Sequence, residues 1–528
     1  MPSVSESIPI HAVDWRLLLP AQKTERILLI ERDDSDFGRS FRELKIPVQI
    51  ASSLTDLPAH GDFDLVAAPL GLDASASLPT LRGLLRPGGS LLFGFARRDA
   101  SLAAMMRSLR GLGFRSVQFY AAIPDLISPE YILPLDAQAL SFMLAHRYEH
   151  KLPRLLLRAI SHGLLSPFMG VLQNLLPNYF AVASDSGNSF ADELTRIVLA
   201  QSKPNLPRSL RWTLHSNGGA DLNDNVIFLG FERGKRNPSL VAKAPRLPSN
   251  NWVVQAEYAR LSEIWSLLGA DAPRRLPEPI ALAEVNGQAA LVISYVDGQG
   301  LIQSPRNGLW RDPARLLGLA RDAARSLREV HERAAKPLAA GERVPSDLPR
   351  KIEAFRKLFS PSEAESRLLA ELEQAASAQV STHKTLIQGD FWHGNIIRGA
   401  KNGDLMLIDW QYARWDSDVS LDVYLFLLAG ALANTPLHDA QAKARGAAEL
   451  LAQWRAEIFP AYLAAYGAAD RSSLLPARLG MLQCCVEKAT RAALDFGVNQ
   501  SDAEAWRWLF YELTRNADLS PHAAYPTR

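Results

Sequence analysis

The sequence predicts an α/β domain followed by an α+β domain built from two lobes. Between residues 24 and 135, short apolar runs alternate with segments of helical periodicity, which is typical of a parallel sheet with crossover helices. After residue 210, strand-like runs come first, and from 311 onward nearly everything has helical periodicity except 385–410. A chain of 528 residues also exceeds what one hydrophobic core usually holds, so more than one domain is expected.

The N-terminal elements follow from hydrophobic periodicity. Apolar runs of four to six residues indicate strands, and apolar residues spaced by three and four indicate helices. The predicted strands are Ile27–Ile30, Val48–Ala51, Phe63–Ala68, Ser90–Phe95 and Ser116–Tyr120. The predicted helices between them are Phe37–Leu44, Ser77–Leu85 and Ser101–Leu112.

One stretch of this domain resembles the second half of class I methyltransferase domains. It consists of Phe63-Asp64-Leu65-Val66, a helix ending in Leu84-Leu85-Arg86-Pro87-Gly88-Gly89, and the strand that starts at Ser90. The resemblance covers about the first 150 residues and implies a Rossmann-like sheet. However, the turn after the first strand reads Glu31-Arg32-Asp33-Asp34-Ser35-Asp36, where backbone approach to a cofactor requires glycines. The sheet is also one βα unit short between Ala51 and Phe63, so we predict a degenerate methyltransferase-like scaffold.

Polar turn formers mark a seam after this domain. We predict a methyltransferase-like domain with trailing apolar helices at 1–184, a linker at 185–209, a strand-rich lobe at 210–296 and a helical lobe at 297–528. The strand-rich lobe is predicted from runs at Leu210–His215, Val226–Phe231, Leu240–Ala244 and Ala289–Tyr295, with a helix at Val253–Leu268.

Composition excludes several classes of protein. The formal net charge of +2, from 58 basic and 56 acidic residues, gives no electrostatic reason to expect a nucleic-acid binder. The only cysteines, Cys484 and Cys485, are adjacent and form no disulfide framework. Without a secretory signal pattern, we expect a cytoplasmic protein. Residues 151–182 are apolar but too interrupted to span a bilayer, and they could lie on an anionic membrane surface as an amphipathic helix.

The segment from Gln388 to Asp409 carries the clearest chemistry. Asp390 is followed five residues later by Asn395, and Asp409 ends the next apolar strand. Phosphoryl transfer from ATP needs a carboxylate beside the acceptor hydroxyl and oxygen ligands that hold Mg²⁺ on the phosphates. These three residues supply that set. Chance produces a single Asp-to-Asn spacing often, so the order of further motifs along the chain matters.

This pair of motifs resembles the aminoglycoside phosphotransferase and choline kinase superfamily, and therefore implies a two-lobed, protein-kinase-like fold. By that resemblance, Asp390 orients or deprotonates the acceptor hydroxyl, while Asn395 and Asp409 hold magnesium. The usual histidine two residues before the aspartate is Gln388 here, which departs from the family pattern and puts the loop geometry in question.

Upstream residues match the same family in the expected order. Lys243 lies at the end of a strand, where the kinase lysine contacts the ATP phosphates, and Glu257 on the following helix is placed to pair with it. Gly218 and Gly219 form either a phosphate-covering loop or a simple hairpin turn. The backbone of Ser294, Tyr295 and Val296 is where adenine is expected to bind.

Softer signals carry competing interpretations. We expect His331 to be structural, and Asp422 to cap a helix rather than to act in catalysis. Aromatic rings flanking the motif could stack on a sugar or a cation, or could pack in the core, which is the expectation for Trp410. They are Trp392, Trp410, Tyr412 and Trp415.

The sequence thus predicts a phosphotransferase that uses ATP and Mg²⁺ on an alcohol group of a small molecule or glycan. We expect acceptor recognition from the helices beyond 420, including the stretch near Trp506 and Trp508. Two alternatives stay open. One is a non-catalytic nucleotide-binding scaffold, which Gln388 favours, and the other is a bifunctional methyltransferase-kinase of surface polysaccharide.

Overall fold

The computed structural model divides the chain into two compact units. The first comprises Met1–Gln255 with Ile280–Tyr295, and the second Ala256–Pro279 with Val296–Arg528. The residues that the structure describes are 10–20, 25–31, 35–58, 61–69, 72–96, 100–147, 178–185, 188–201, 206–207, 209–215, 224–301, 312–339, 342, 344, 346–379, 382–435, 439–468, 474–498 and 501–515.

The first unit is built on strands, with helices between the early ones. Its strands are β1 (Ile27–Ile30), β2 (Gln49–Ala51), β3 (Phe63–Ala68), β4 (Leu85–Ala96), β5 (Ser116–Ile123), β6 (Tyr131–Pro134), β7 (Asn178–Ser184), β8 (Leu210–His215), β9 (Asn225–Glu232), β10 (Leu240–Pro245), β11 (Pro279–Val285) and β12 (Gln288–Ser294). Its helices are a 3₁₀ helix (Ile10–Leu18), α1 (Asp36–Glu43), α2 (Ala74–Gly83), α3 (Leu102–Gly111), α4 (Ala137–Arg147) and α5 (Phe190–Leu199).

Within the described residues, these strands form one sheet of twelve in the order β11-β12-β10-β9-β8-β6-β5-β7-β4-β3-β1-β2. Strands β2, β1, β3 and β4 run parallel, as expected when helices connect them. The strand order reverses between β1 and β3, the point at which such sheets change winding direction. Strand β7 then inserts antiparallel between β4 and β5.

The N-terminal strands and the strand-rich part of the later chain share this sheet. The junction is the antiparallel pair of β6 and β8, in which Tyr131 faces His215 and Ile132 faces Leu214. A second link is the fully buried ion pair in which Arg246 Nε donates to Asp14 at 3.0 Å. One buried hydrophobic cluster of the unit accordingly includes residues of both parts, from Ile10 to Val292, and a second cluster contains residues from Leu28 to Ala183.

The second unit is mostly helical. Its helices are α6 (Asn251–Leu268), which begins in the first unit, α7 (Ala272–Arg275), α8 (Pro313–Ala334), α9 (Leu348–Phe359), α10 (Glu363–Ala378), α11 (Ser420–Ala433), α12 (Ala440–Trp454), α13 (Ile458–Tyr466), α14 (Ala477–Phe496) and α15 (Ser501–Arg515). Two small sheets lie among them, β13-β16-β17 and β14-β15-β18. Their strands are β13 (Gly298–Gly300), β14 (Lys336–Pro337), β15 (His383–Ile387), β16 (Ile396–Gly399), β17 (Leu405–Leu407) and β18 (Arg414–Asp416).

Helix α11 is the centre of the second unit. Every residue from Ser420 to Leu432 is buried, because the helix is apolar on all sides and neighbours surround it. Its first turn nevertheless contains the buried carboxylate of Asp422. A charge buried there needs partners, and these partners organise the candidate site.

Most predicted elements are present, and a few differ. The predicted end of the second helix, residues 85–89, belongs instead to strand β4, and strands β6, β7 and β11 were not predicted. Residues 178–182 lie in β7, where Phe180 and Ala181 are buried, so this part of the predicted surface helix is wrong; residues 151–177 lie outside the described residues. None of the helices that the structure describes has the length and apolar character needed to cross a membrane.

Both cysteines are free thiols buried in α14. Burial raises the pKa of each thiol, so neither is ionised at neutral pH. The predicted boundaries at 184, 209 and 296 differ from the division into compact units and stay a prediction.

Candidate active site

The loop that contains Asp390 begins where strand β15 ends. Gly389 follows with a φ of +75°, a backbone conformation that residues other than glycine rarely adopt. A Cβ atom at this position would lie 2.5 Å from the carbonyl oxygen of Tyr412. Glycine is therefore required by both the backbone angle and the space, and it turns the chain so that Asp390 leaves the strand.

Asp422 anchors this loop. Its Oδ2 accepts a hydrogen bond from the backbone N–H of Gln388 at 2.7 Å, and its Oδ1 accepts one from Gly389 at 2.8 Å. His331 Nε2 lies 3.1 Å from the same Oδ2, and His331 Nδ1 lies 2.8 Å from the hydroxyl of Tyr466. The expectation that Asp422 caps its helix is wrong, because both carboxylate oxygens serve the loop. His331 is structural, as predicted.

Gln388 stands where the family has histidine, and its side chain binds the backbone that follows strand β17. Its Nε2 donates to the carbonyl of Ile408 at 2.6 Å and approaches that of Asp409 at 3.3 Å. The side chain is 1% exposed, so these bonds form away from water. Gln388 thus ties the loop that carries Asp390 directly to the segment that carries Asp409.

The carboxylate of Asp390 is buried and hydrogen-bonded on both oxygens. Asn395 Nδ2 donates to Oδ2 at 3.0 Å and to the backbone carbonyl of Asp390 at 3.0 Å. Lys488 Nζ donates to Oδ1 at 2.6 Å, and Arg491 lies 3.5 Å from the same oxygen. Burial alone would raise the pKa of Asp390, but Lys488 and Arg491 outweigh it and lower the pKa. Asp390 is therefore ionised at neutral pH.

The two predicted metal ligands lie on adjoining segments. Asn395 ends a 3₁₀ turn, His393–Asn395, and its carbonyl accepts the N–H of Ile408 at 2.9 Å. Strands β16 and β17 pair directly beyond it. Asp409 has a φ of +64°, an uncommon backbone conformation for a residue other than glycine. Such strain is retained where the position of a side chain matters, which fits a metal ligand.

The donor set fits magnesium. Because the amide nitrogen of Asn395 points to Asp390, its amide oxygen is left as an acceptor, and Asp409 adds a carboxylate. Mg²⁺ is commonly bound through one or two protein oxygens together with phosphates and water. Within the described residues there is no cluster of three or more His, Cys, Asp or Glu side chains suited to a metal.

Lys243 and Glu257 belong to different units. Lys243 lies in β10, paired with Ile227 and Leu291 on the neighbouring strands. Glu257 lies in α6, is 1% exposed and accepts the backbone N–H of Trp410 through Oε1 at 3.2 Å. Glu257 therefore holds the backbone next to Asp409, a role that the sequence did not predict. Its pairing with Lys243 stays a prediction.

Part of the backbone that was predicted to contact the nucleotide is engaged in hydrogen bonds of the sheet. Gly218 and Gly219 lie outside the described residues. Ser294 is paired with Leu240 at the end of β12, and the N–H of Tyr295 donates to the carbonyl of Ser239 at 3.0 Å. That N–H is engaged within the sheet, and the binding of adenine to this backbone stays a prediction. Val296 lies beyond the last paired position of β12 and stays a candidate.

The aromatic residues near the motif differ in their burial and in the groups that they contact. Trp410 is fully buried and donates from its indole nitrogen to the carbonyl of Leu407, so core packing is confirmed. Trp415 donates to Glu263 and has the ammonium of Lys336 over its ring at 4.1 Å. The ring of Tyr412 is covered by the guanidinium of Arg491 at 3.8 Å. Each of these rings already has a partner.

Sequence reasoning missed the cationic residues of helix α14. Lys488 and Arg491 are spaced by three and so share one helical face, and both reach Asp390. The neighbouring buried Glu487 is paired with Lys351 and Arg414. A signal was present, because Glu487, Lys488 and Arg491 follow a long apolar run in this helix. No motif, however, connected that helix with a loop about 100 residues earlier.

Comparison with known proteins agrees with this geometry. Residues 220–478 match the model of the phosphotransferase enzyme family. The C-terminal part of the chain carries a phosphotransferase family domain. No curated protein sequence matches the chain.

Solved structures similar to the phosphotransferase domain include two aminoglycoside kinases and a protein kinase. The aminoglycoside phosphotransferase APH(3'')-Id from Streptomyces rimosus is 16% identical, covers 61% of this chain and 98% of its own, and has a TM-score of 0.31. An aminoglycoside-3'-phosphotransferase of type VIII is 18% identical, with coverages of 60% and 98% and a TM-score of 0.30. The PknI kinase domain of Mycobacterium tuberculosis is 15% identical, with coverages of 58% and 97% and a TM-score of 0.22. These TM-scores are low, so the likenesses carry no weight in assigning a substrate or a mechanism.

Proposed function

We propose that the protein is an ATP- and Mg²⁺-dependent phosphotransferase that acts on a hydroxyl group of a small molecule or glycan. The observation that carries the proposal is the arrangement of the buried Asp390 and Asn395 with the partly buried Asp409 on the adjoining segment. Asn395 bonds to Asp390, and Gln388 ties the loop to Asp409. Asp422 fixes the loop that presents them. A merely structural aspartate would not need this many supports.

Asp390 binds and orients the acceptor. In the proposed reaction, the acceptor oxygen attacks the γ-phosphorus of ATP, the bond from phosphorus to the bridging oxygen breaks, and ADP leaves with that electron pair. The acceptor proton passes to the carboxylate of Asp390 as the new bond forms. Because the transition state of phosphoryl transfer is loose, a weakly basic carboxylate is sufficient. The lowered pKa of Asp390 is compatible with this role.

Asn395 and Asp409 would hold the magnesium ion. When bound, Mg²⁺ would neutralise charge on the phosphate oxygens. The rigid supports of both residues, the Ile408 N–H on Asn395 and the Glu257-bound Trp410 N–H beside Asp409, keep their oxygens in place. We further propose that Lys243 contacts the ATP phosphates and pairs with Glu257, and that the backbone near Val296 receives adenine.

Acceptor-dependent turnover tests this function. Mg²⁺-ATP is supplied with panels of sugars, amino alcohols and aminoglycosides, and transfer of the γ-phosphate is followed by mass spectrometry of the acceptor. The expected result is phosphorylation of one acceptor class that stops when Mg²⁺ is chelated. Tight ATP binding without transfer to any acceptor would favour the non-catalytic scaffold instead.

We also propose that the N-terminal half serves as a methyltransferase-like scaffold without methyl transfer. The parallel order β2-β1-β3-β4 with its reversal between β1 and β3 supports a Rossmann-like sheet. Glu31 and the acidic helix start at Asp36 lie where a cofactor loop would need small residues. Saturable stabilisation of the protein by S-adenosylmethionine in a thermal-shift titration would contradict this and favour the bifunctional enzyme.

A further inference from the structure

Two cations of helix α14 lie at the reacting end of the site. Lys488 and Arg491 both approach Oδ1 of Asp390, at 2.6 and 3.5 Å. Their side chains are 20% and 16% exposed, so they are largely withdrawn from water but not fully buried. The match to the phosphotransferase family ends at residue 478, so both lie beyond the matched part.

The cations lie on the side of Asp390 away from the predicted metal ligand. Asn395 bonds to Oδ2, whereas Lys488 and Arg491 approach Oδ1. The two oxygens of a carboxylate point in different directions, so the metal side and the cationic side are separate. An acceptor hydroxyl that binds Asp390 from its Oδ1 side therefore meets both cations.

Both cations have donors to spare. An ammonium group has three N–H donors and a guanidinium has five. Lys488 donates to Asp390, while Arg491 directs Nη1 to Asp390 Oδ1 at 3.5 Å and Nη2 to Gly389 O at 3.2 Å, and its guanidinium lies over the ring of Tyr412. Stacking fixes the plane of the guanidinium, which prepares it for an anion with two oxygens. The remaining N–H groups lie next to the position of the acceptor.

Among the described contacts, neighbouring acidic side chains do not take up these remaining N–H donors of Lys488 and Arg491. Glu487 is already paired with Lys351 and Arg414, which bring its pKa down to about 2 against the opposing effect of burial. Asp495, one turn beyond Arg491, is exposed and interacts electrostatically with both cations, but among the described contacts no hydrogen bond joins it to either. A charge exposed to water is screened far more strongly than one in the site. The two cations therefore act on an incoming acceptor.

We propose that the acceptor carries an anionic substituent, a carboxylate or phosphate, close to the hydroxyl that is phosphorylated, and that Lys488 and Arg491 bind it. The proposal rests on the proposed function and narrows its substrate class. Since Lys488 Nζ and an acceptor oxygen would each lie about 2.7 Å from the same carboxylate oxygen, they are separated by no more than about 5 Å. An anionic oxygen bound to Lys488 would then lie within about 8 Å of that hydroxyl oxygen, so the substituent is close to the phosphorylated position. Polycationic acceptors are disfavoured at this position by like-charge repulsion.

Matched acceptors that differ in charge test the proposal. Galactose, galacturonate, galactose 6-phosphate and galactosamine are compared for kcat/KM with Mg²⁺-ATP, and their binding is measured by calorimetry without turnover. The native protein is expected to prefer an anionic member over galactose by at least about 10-fold, with galactosamine poorest. Lys488→Met and Arg491→Met are expected to remove that preference through KM, and Arg491→Lys to retain most of it.

Arg478→Met serves as the matched control. Arg478 is on the same helix, about 15 Å away at a rise of about 1.5 Å per residue, and bonds to the carbonyl of Thr514. It is expected to leave the preference unchanged. Equal losses of kcat for all four acceptors in Lys488→Met would overturn the proposal, because the cation would then serve the transferred phosphate. Equal binding of all four acceptors would overturn it as well. Lys488-dependent binding of the anionic members without transfer would reject the kinase while the anion site stands.

Discussion

Replacing Asp422 by asparagine tests whether the catalytic loop is held by this one buried carboxylate. The two oxygens of Asp422 each accept a backbone N–H, from Gln388 and Gly389, and Oδ2 also contacts His331. Asparagine keeps the shape but places an NH₂ group opposite one of those N–H groups. One charge-assisted hydrogen bond, about 1.5–3 kcal/mol, is lost, and one buried donor without a partner costs about 1–3 kcal/mol more.

The expected loss of stability is therefore about 2.5–6 kcal/mol, which corresponds to a Tm decrease on the order of 10 °C for a unit of this size. Thermal unfolding followed by circular dichroism measures it, and ATP turnover is expected to fall at least about 100-fold at a temperature where the variant is folded. The control is Asp439→Asn at the start of α12, because Asp439 accepts the N–H of Ala442 and asparagine caps a helix equally well. A Tm within about 2 °C of native and turnover within twofold would refute the anchoring role of Asp422.

Three other changes test further contacts of the protein. Arg246→Met is expected to destabilise the first unit by about 3–5 kcal/mol in urea unfolding, because it removes the buried ion pair with Asp14. Arg246→Met combined with Asp14→Leu is expected to cost less, and equal costs would contradict the ion pair. Since the pKa of Glu487 is lowered from its ordinary value of 4.5 to about 2, its contribution to stability is present above about pH 4.5 and is lost as the pH falls toward 2. Glu487→Gln should flatten the decline of stability over that range, and an unchanged acid profile would speak against it. Asp409→Gly removes the cost of the strained backbone, so it is expected to change the unfolding free energy by less than about 1 kcal/mol while abolishing turnover. Gly389→Ala should lower both stability and turnover, because the added Cβ meets the Tyr412 carbonyl oxygen.

Local patterns predicted the individual strands and helices of this protein well. Runs such as Phe63–Ala68 and Leu210–His215 carry their own signal, because a buried strand must be apolar or alternating. The spacing from Asp390 to Asn395 is likewise informative, because the loop is short and the sequence spacing largely sets its geometry. The contact between Asn395 and Asp390 could therefore be anticipated from their spacing in the sequence.

What the sequence did not reveal depends on pairing between distant segments. Strands β6 and β8 pair through two residue pairs about 80 positions apart, and the sequence of neither strand indicates that the other is its partner. Lys488 reaches Asp390 across a similarly long separation, and a lysine on a helix is ordinarily a solvated surface residue. The role of Asp422 was misjudged for the opposite reason, since an aspartate in the first turn of a helix is typical of capping.

Asp390→Asn, compared with the native chain, tests the central claim most directly. The variant keeps the volume and the hydrogen bond with Asn395 but removes the charge that orients the acceptor hydroxyl. Mg²⁺-ATP binding and acceptor phosphorylation are measured on the same preparations. We expect native-like nucleotide binding with transfer reduced at least about 1,000-fold; transfer at a rate within about tenfold of native would contradict the catalytic role of Asp390.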